Sequence, residues 1–238
     1  MRIATWNVNS LRSRVDRVEA FLDRHEIDVL ALQEVDLGTI RTGGADLALA
    51  VARATGMQQL FGPSRRLPGG FYGNALLVRG RFDRWAVHRL PRRPRWRVWQ
   101  ERRTSLVAHA LLDDGPLAVA ATHLAVPRPI STRQQAHLTR IVAGLPRPAV
   151  LLGDLNREPH EVAPMAEALG FAAAAHDPTH PVKAPKLTID HVLVSPGLAI
   201  TGVEVRRTPM SDHRALLVDV ERVPEPAADP DAIPDGPR

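Results

Sequence analysis

The hydrophobic pattern opens on a strand, a helix and a second strand. Residues 2–8 form an apolar-rich strand, and residues 13–25 place Val15, Val18, Phe21 and Leu22 on one helical face. Residues 28–33, DVLALQ, read as a short buried strand. A helix is expected over 45–55, then strands near 57–61, 71–78, 84–90, 104–112 and 117–122. Asp113-Asp114-Gly115-Pro116 joins the last two as a turn. Further on, the pattern predicts helices over 132–143 and 161–169, with strands at 149–152, 188–194, 199–206 and 215–220. Strands outnumber helices and the helices are interspersed, so a mixed α/β sandwich fits better than a purely parallel sheet. No internal linker or repeat breaks the pattern, and residues 1–223 read as one domain. Residues 224–238, with five prolines and no hydrophobic face, read as a disordered acidic tail.

Composition narrows the chemistry. The 238 residues contain no cysteine, which excludes disulfides, thiolate metal sites and thiol catalysis. No apolar run approaches the roughly 20 residues that a bilayer requires, and the first residues lack a signal-peptide pattern, so a cytoplasmic setting is expected. The formal charge of +5 is concentrated: residues 79–103 carry 10 basic and 2 acidic groups, and three of the four tryptophans, Trp85, Trp96 and Trp99. Arginine neutralises phosphates and tryptophan stacks on unpaired bases, so this segment is a candidate nucleic-acid contact, with Arg95, Arg97 and Trp96 at its centre. A solvated basic loop is the plainer alternative.

Polar residues gather where strands should end. Asn7 and Asn9 follow the first strand, and Glu34 follows LALQ. Asn74 follows a Gly-Phe-Tyr-Gly stretch taken as a turn, and His123 ends LAVAATH. Asp154 and Asn156 follow AVLLG, Asp190 precedes His191, and Asp212-His213 precedes the last strand. Strand ends at one rim of a sheet can converge from distant segments. Carboxylate and amide oxygens suit Mg²⁺ or Mn²⁺, and histidines beside carboxylates suit contact with a phosphate. Metal-assisted attack of water on phosphorus is the matching reaction class.

Taken in order, WNVNS, LQEVD, GNALLVR, THL, GDLN, TIDHVLVS and SDHRAL resemble the motifs of the endonuclease/exonuclease/phosphatase family, the DNase I-like superfamily, over about residues 2–220. The resemblance implies a four-layered α/β sandwich of two packed mixed sheets with helices outside. It implies that Glu34 binds metal, that Asn7 supports metal or phosphate, and that Asp212 reaches the metal directly or through water. By the same resemblance Asp154 orients or deprotonates the attacking water, with Asn156 as its phosphate-binding neighbour. His213 contacts the scissile phosphate and Asp190 holds that histidine. His123 is shared with DNase I-like nucleases, sphingomyelinases and inositol-phosphate phosphatases, whereas abasic-site enzymes of the family usually carry tyrosine there. Asn74 is expected near His123, and Arg103 falls loosely at the position of a phosphate-contacting arginine. The leading expectation is a divalent-metal-dependent phosphodiesterase acting on nucleic acid, most readily DNA. A phosphomonoesterase or lipid phosphodiesterase of the same superfamily is the alternative. A catalytically inactive binding module, the third reading, is disfavoured because Glu34, Asp154, Asp190 and His213 are all present.

Overall fold

Alternation along the strands divides the apolar side chains between three cores. Val29 and Ala31 point one way in their strand while Leu30 and Leu32 point the other, and Val150 and Leu152 alternate with Leu151 in the same manner. Both faces are buried, which is why these segments are continuous apolar runs. The first core lies between two sheets and joins Ile3, Val29 and Leu76 of one to Leu106, Val119, Val150 and Val192 of the other. The second seals helices over the outer face of the first sheet, and the third does so for the other sheet. The result is a four-layered α/β sandwich.

The computed structural model describes residues 1–10, 15–92, 101–208 and 211–224. Arg95, Trp96, Arg97 and Trp99, and the expected tail beyond Pro224, lie outside the described residues. The first sheet contains β1 (Arg2–Asn7), β2 (Val29–Leu37), β3 (Gln58–Leu67), β4 (Gly70–Val78), β11 (Leu198–Arg206) and β12 (Ala215–Arg222), in the order β11-β12-β1-β2-β4-β3. The second contains β5 (Arg81–Arg89), β6 (Thr104–Leu112), β7 (Gly115–His123), β8 (Ala149–Asp154), β9 (Ala172–Ala173) and β10 (Asp190–Val194), in the order β5-β6-β7-β8-β10-β9. Helices α1 (Val15–His25) and α2 (Leu47–Thr55) cover one outer face, and α3 (Arg128–Ala143) and α4 (Pro159–Leu169) the other. Among the described residues no helix is long and apolar enough to cross a membrane.

Several elements differ from their expected extent. The Gly-Phe-Tyr-Gly stretch is not a turn but opens β4, in keeping with the strand expected at 71–78, and pairs with β2 and with the long β3. A Cβ on Gly73 would sit 2.1 Å from the Gly62 carbonyl oxygen, so this glycine permits close strand approach at an irregular register and does not reverse the chain. Helices α3 and α4 begin earlier than their apolar faces suggest, with proline in the first turn, where its missing N–H costs no hydrogen bond. In α4 a reciprocal capping box between Glu158 and Glu161 fixes the start. The strand expected at 188–194 begins only at Asp190, and the two-residue β9 carried no pattern of its own.

The inter-sheet core should dominate stability. Leu76 is fully buried within it, and Leu76→Ala is expected to cost about 2–5 kcal/mol in urea unfolding. Val203, 38% exposed on β11, should cost within about 0.5 kcal/mol when changed to alanine. Equal losses for the two variants would contradict this placement of the core.

Candidate active site

Strand direction gathers the polar strand ends onto one rim. β1 and β2 run parallel, with Asn7 opposite Gln33, so both finish on the same side. β7 and β8 are likewise parallel and end with His123 opposite Asp154. β10 runs antiparallel to β8, so its first residue, Asp190, lies opposite Asp154. β12 runs antiparallel to β1, which returns Ser211, Asp212 and His213 to the end of β1; the Ser211 hydroxyl donates to the Asn7 carbonyl at 2.6 Å.

Two local distortions aim the carboxylates. The register between β2 and β4 breaks between Leu32 and Val35, and within this bulge Glu34 takes a φ of 61°. A bulge redirects a side chain, and a non-glycine residue held at positive φ marks strain retained at a functional place. Gly153, next to Asp154, has a φ of 146°, and a Cβ there would meet the Thr122 carbonyl oxygen at 1.9 Å. Only glycine lets β7 and β8 close up at that point.

The Asn7 amide links the two sheets. Its Nδ2 donates to Glu34 Oε1 at 3.0 Å and to Asp154 Oδ2 at 3.1 Å, while its Oδ1 accepts from the Asn9 amide. Asp154 Oδ1 accepts from the Asn156 N–H at 3.0 Å. Two imidazoles face Asp154 Oδ2, with His123 Nε2 at 3.4 Å and His213 Nε2 at 3.8 Å. His213 Nδ1 donates at 2.9 Å to Asp190 Oδ2, which also accepts from the Thr179 hydroxyl at 2.6 Å. Asp212 is exposed, within 3.2 Å of Asn9 Nδ2 and 3.7 Å of His180 Nε2.

Other expected site residues are engaged differently. Asn74 donates to the Thr104 carbonyl at 3.1 Å, and His123 is partnered by Arg103 and Asp154. Asn156, at a φ of 50°, donates its side-chain amide to the Leu124 carbonyl and so ties together the loops that follow β7 and β8. Arg103 is buried and meets His123 Nδ1 at 2.8 Å and Glu101 at 3.4 Å. Thr179 and His180 escaped the sequence reasoning. His180 packs against His213 with ring centroids 4.6 Å apart and planes tilted by 46°, in a loop that has no apolar periodicity to place it.

The electrostatics separates the two histidines. Burial alone would depress His213, but the hydrogen bond and charge of Asp190, with Asp154 and Asp212, raise its pKa to about 9. Burial, then the positive charges of Arg103 and His213, holds His123 well below its ordinary value. Burial and the charge of Asp190 push the Asp154 carboxyl upward against the opposing pull of His213. The donors fit a hard divalent cation. Glu34, Asp154 and Asp212 offer carboxylate oxygens, with Asn7 presenting Nδ2 to the first two and so orienting them, and two triads, Asp154–Asp190–His213 and His180–Asp212–His213, have ligand atoms within 4.8 Å of one another.

In metal-free protein, the His213 ring should therefore titrate by NMR near pH 9, and Asp190→Asn should bring it to or below about 6.5. Because the folded pKa lies above the unfolded value, the stability it contributes is complete below about pH 6.5 and is lost as pH rises through about 9. A wild-type midpoint at or below the ordinary value would contradict the Asp190–His213 pairing.

Residues 4–213 match the model of the endonuclease/exonuclease/phosphatase family. An endonuclease/exonuclease/phosphatase from Beutenbergia cavernae superposes with a TM-score of 0.78 at 23% identity, covering 96% of this chain and 73% of that one. The human nocturnin catalytic domain with bound sulfate gives 0.73 at 20% identity, covering 94% and 93%. A mannosyl-6-phosphatase from Bacteroides thetaiotaomicron gives 0.70 at 16% identity, covering 93% and 99%. No curated protein matches the chain in sequence. With the family match spanning nearly all the described residues, the chain belongs to the endonuclease/exonuclease/phosphatase family, whose members are metal-dependent phosphoric ester hydrolases.

Proposed function

We propose that this protein is a phosphodiesterase that hydrolyses nucleic acid, with DNA as its first candidate substrate and Mg²⁺ or Mn²⁺ as its cation. Glu34 and Asp212 would hold the cation, with Asn7 supporting it through its hydrogen bond to Glu34, and the cation when bound supplies charge neutralisation at the phosphate. Asp154 takes a proton from the attacking water as its oxygen bonds to phosphorus. A base with a raised pKa suits that task near neutral pH. The bond to the leaving oxygen breaks as that oxygen receives the proton on His213 Nε2, and Asp190 keeps the ring charged and oriented. Asp154 Oδ2 and His213 Nε2 are 3.8 Å apart, so the proton returns from Asp154 to His213 through one bridging solvent molecule. His123 offers an N–H from the other side of Asp154, and Asn156 shapes the loop beneath.

The observation that carries the nucleic-acid reading is the placement of charge. The basic stretch 79–103 connects β4, which bears Asn74, to β6, which Arg103 immediately precedes. Its first part is the exposed edge strand β5, with Arg81 opposite Leu111 and Arg89 opposite Thr104, so the strand climbs toward the site rim. A polyanion longer than one phosphate would be needed to use such a stretch. Phosphomonoester hydrolysis is the second reading, favoured by the likeness to a mannosyl-6-phosphatase.

Plasmid, single-stranded DNA, RNA, an inositol phosphate and a sugar phosphate, each with Mg²⁺ or Mn²⁺, distinguish the readings. Cleavage of a nucleic acid is expected, and turnover of monoesters alone would replace this reading with the second. Neutralising Arg92, Arg93, Arg95 and Arg97 should weaken DNA binding and reduce its salt slope by about 0.7–0.9 per lost phosphate contact. Unchanged affinity and slope would remove the basic segment from the substrate site.

A further inference from the structure

His123 and His213 both face Asp154 Oδ2, but their second nitrogens meet partners of opposite charge. His213 Nδ1 faces the carboxylate of Asp190, whereas His123 Nδ1 lies 2.8 Å from the Arg103 guanidinium. Guanidinium has donors and no acceptor, so His123 Nδ1 must present its lone pair. The ring proton of a neutral imidazole then sits on Nε2, the atom 3.4 Å from Asp154 Oδ2. Both residues are buried, with Arg103 at 9% and His123 at 3% exposure, so water does not compete for this hydrogen bond on equal terms.

The arginine is held for this purpose from several directions. Its carbonyl accepts from the Leu90 N–H at the end of β5. The next carbonyl, that of Thr104, accepts from both Asn74 and Thr122, while the Thr104 hydroxyl meets Ser64. Glu101 occupies the other terminal nitrogen of the guanidinium at 3.4 Å. With one terminal nitrogen on His123 and the other on Glu101, Arg103 is committed inward.

We propose that Arg103 is a positioning residue that fixes the tautomer of His123, keeping it a neutral Nε2–H donor aimed at Asp154 and at the phosphate oxygen beside it. His123 then orients and stabilises without supplying a proton. This deepens the phosphoester-hydrolase reading of the same site and rests on it only for the kinetic consequence. The depressed pKa of His123 agrees with the geometry.

Long-range ¹H–¹⁵N NMR of the full chain labelled at histidine tests the tautomer, with His123→Asn to assign the signals. Wild type and Arg103→Lys, which retains a donor, should carry the proton on Nε2, and Arg103→Met should show the Nδ1–H form or a mixture. With bis(p-nitrophenyl) phosphate and Mn²⁺, Arg103→Met should lower kcat about 10–100-fold with KM unchanged. That loss should vanish in a His123→Asn background. A wild-type ring protonated on Nδ1 overturns the proposal, whether or not the Met variant folds. So does a kinetic loss that appears in KM, or one that persists without His123, since either makes Arg103 a direct substrate contact. The tautomer is read without substrate, so its outcome stands whichever phosphoester the enzyme prefers.

Discussion

Everything at the rim depends on the packing of two sheets across one dry core. Ile3, Val29, Leu76 and Leu216 from one sheet meet Leu106, Val119, Val150 and Val192 from the other, all fully buried. Sheets packed this way hold their mutual position to within the tolerance of close-packed side chains. That rigidity lets Asn7, at the end of a strand in one sheet, hydrogen-bond Asp154, at the end of a strand in the other. The geometry of this contact is inherited from the core beneath.

Polar groups brought together in a buried rim must compensate one another. Asp154, Asp190, His123 and His213 are each at most 5% exposed, and an unpaired charge there would be costly. The compensation is asymmetric. Asp190 stabilises a positive ring at His213, and Arg103 requires an unprotonated nitrogen at His123. Two histidines that look equivalent in sequence thus acquire distinct chemistry from residues 23 and 20 positions away. The strained backbone at Glu34 and Asn156 belongs to the same economy, since the sandwich tolerates positive φ where a side chain must be redirected.

The fold was largely legible because its central strands are short, apolar and bounded by polar ends. Fully buried strands such as 29–32 and 150–152 carry that signal locally. The second half of β3 did not, because Gly62 to Leu67 is polar and becomes strand only by pairing with β4. Phe71-Tyr72-Gly73 read both as the start of a strand at 71–78 and as a turn before Asn74, and the same pairing decides for strand. Seven site residues, Asn7, Glu34, His123, Asp154, Asp190, Asp212 and His213, could be placed at strand ends by pattern and family resemblance, and the structure brings them together. Arg103 as a partner of His123, and Thr179 beneath Asp190, were not legible. Each is one arginine or threonine among many, and its place is set by strands remote in sequence.

The central claim is that this rim hydrolyses a phosphoester with a divalent cation and Asp154 as the base. Its most direct test is the Mn²⁺ dependence of bis(p-nitrophenyl) phosphate turnover by wild type and Asp154→Asn after chelation. Wild-type activity should vanish with EDTA and return with Mn²⁺, and the variant, folded as judged by circular dichroism, should lose at least about 100-fold in kcat under saturating metal. Turnover that survives both chelation and the substitution would contradict the account.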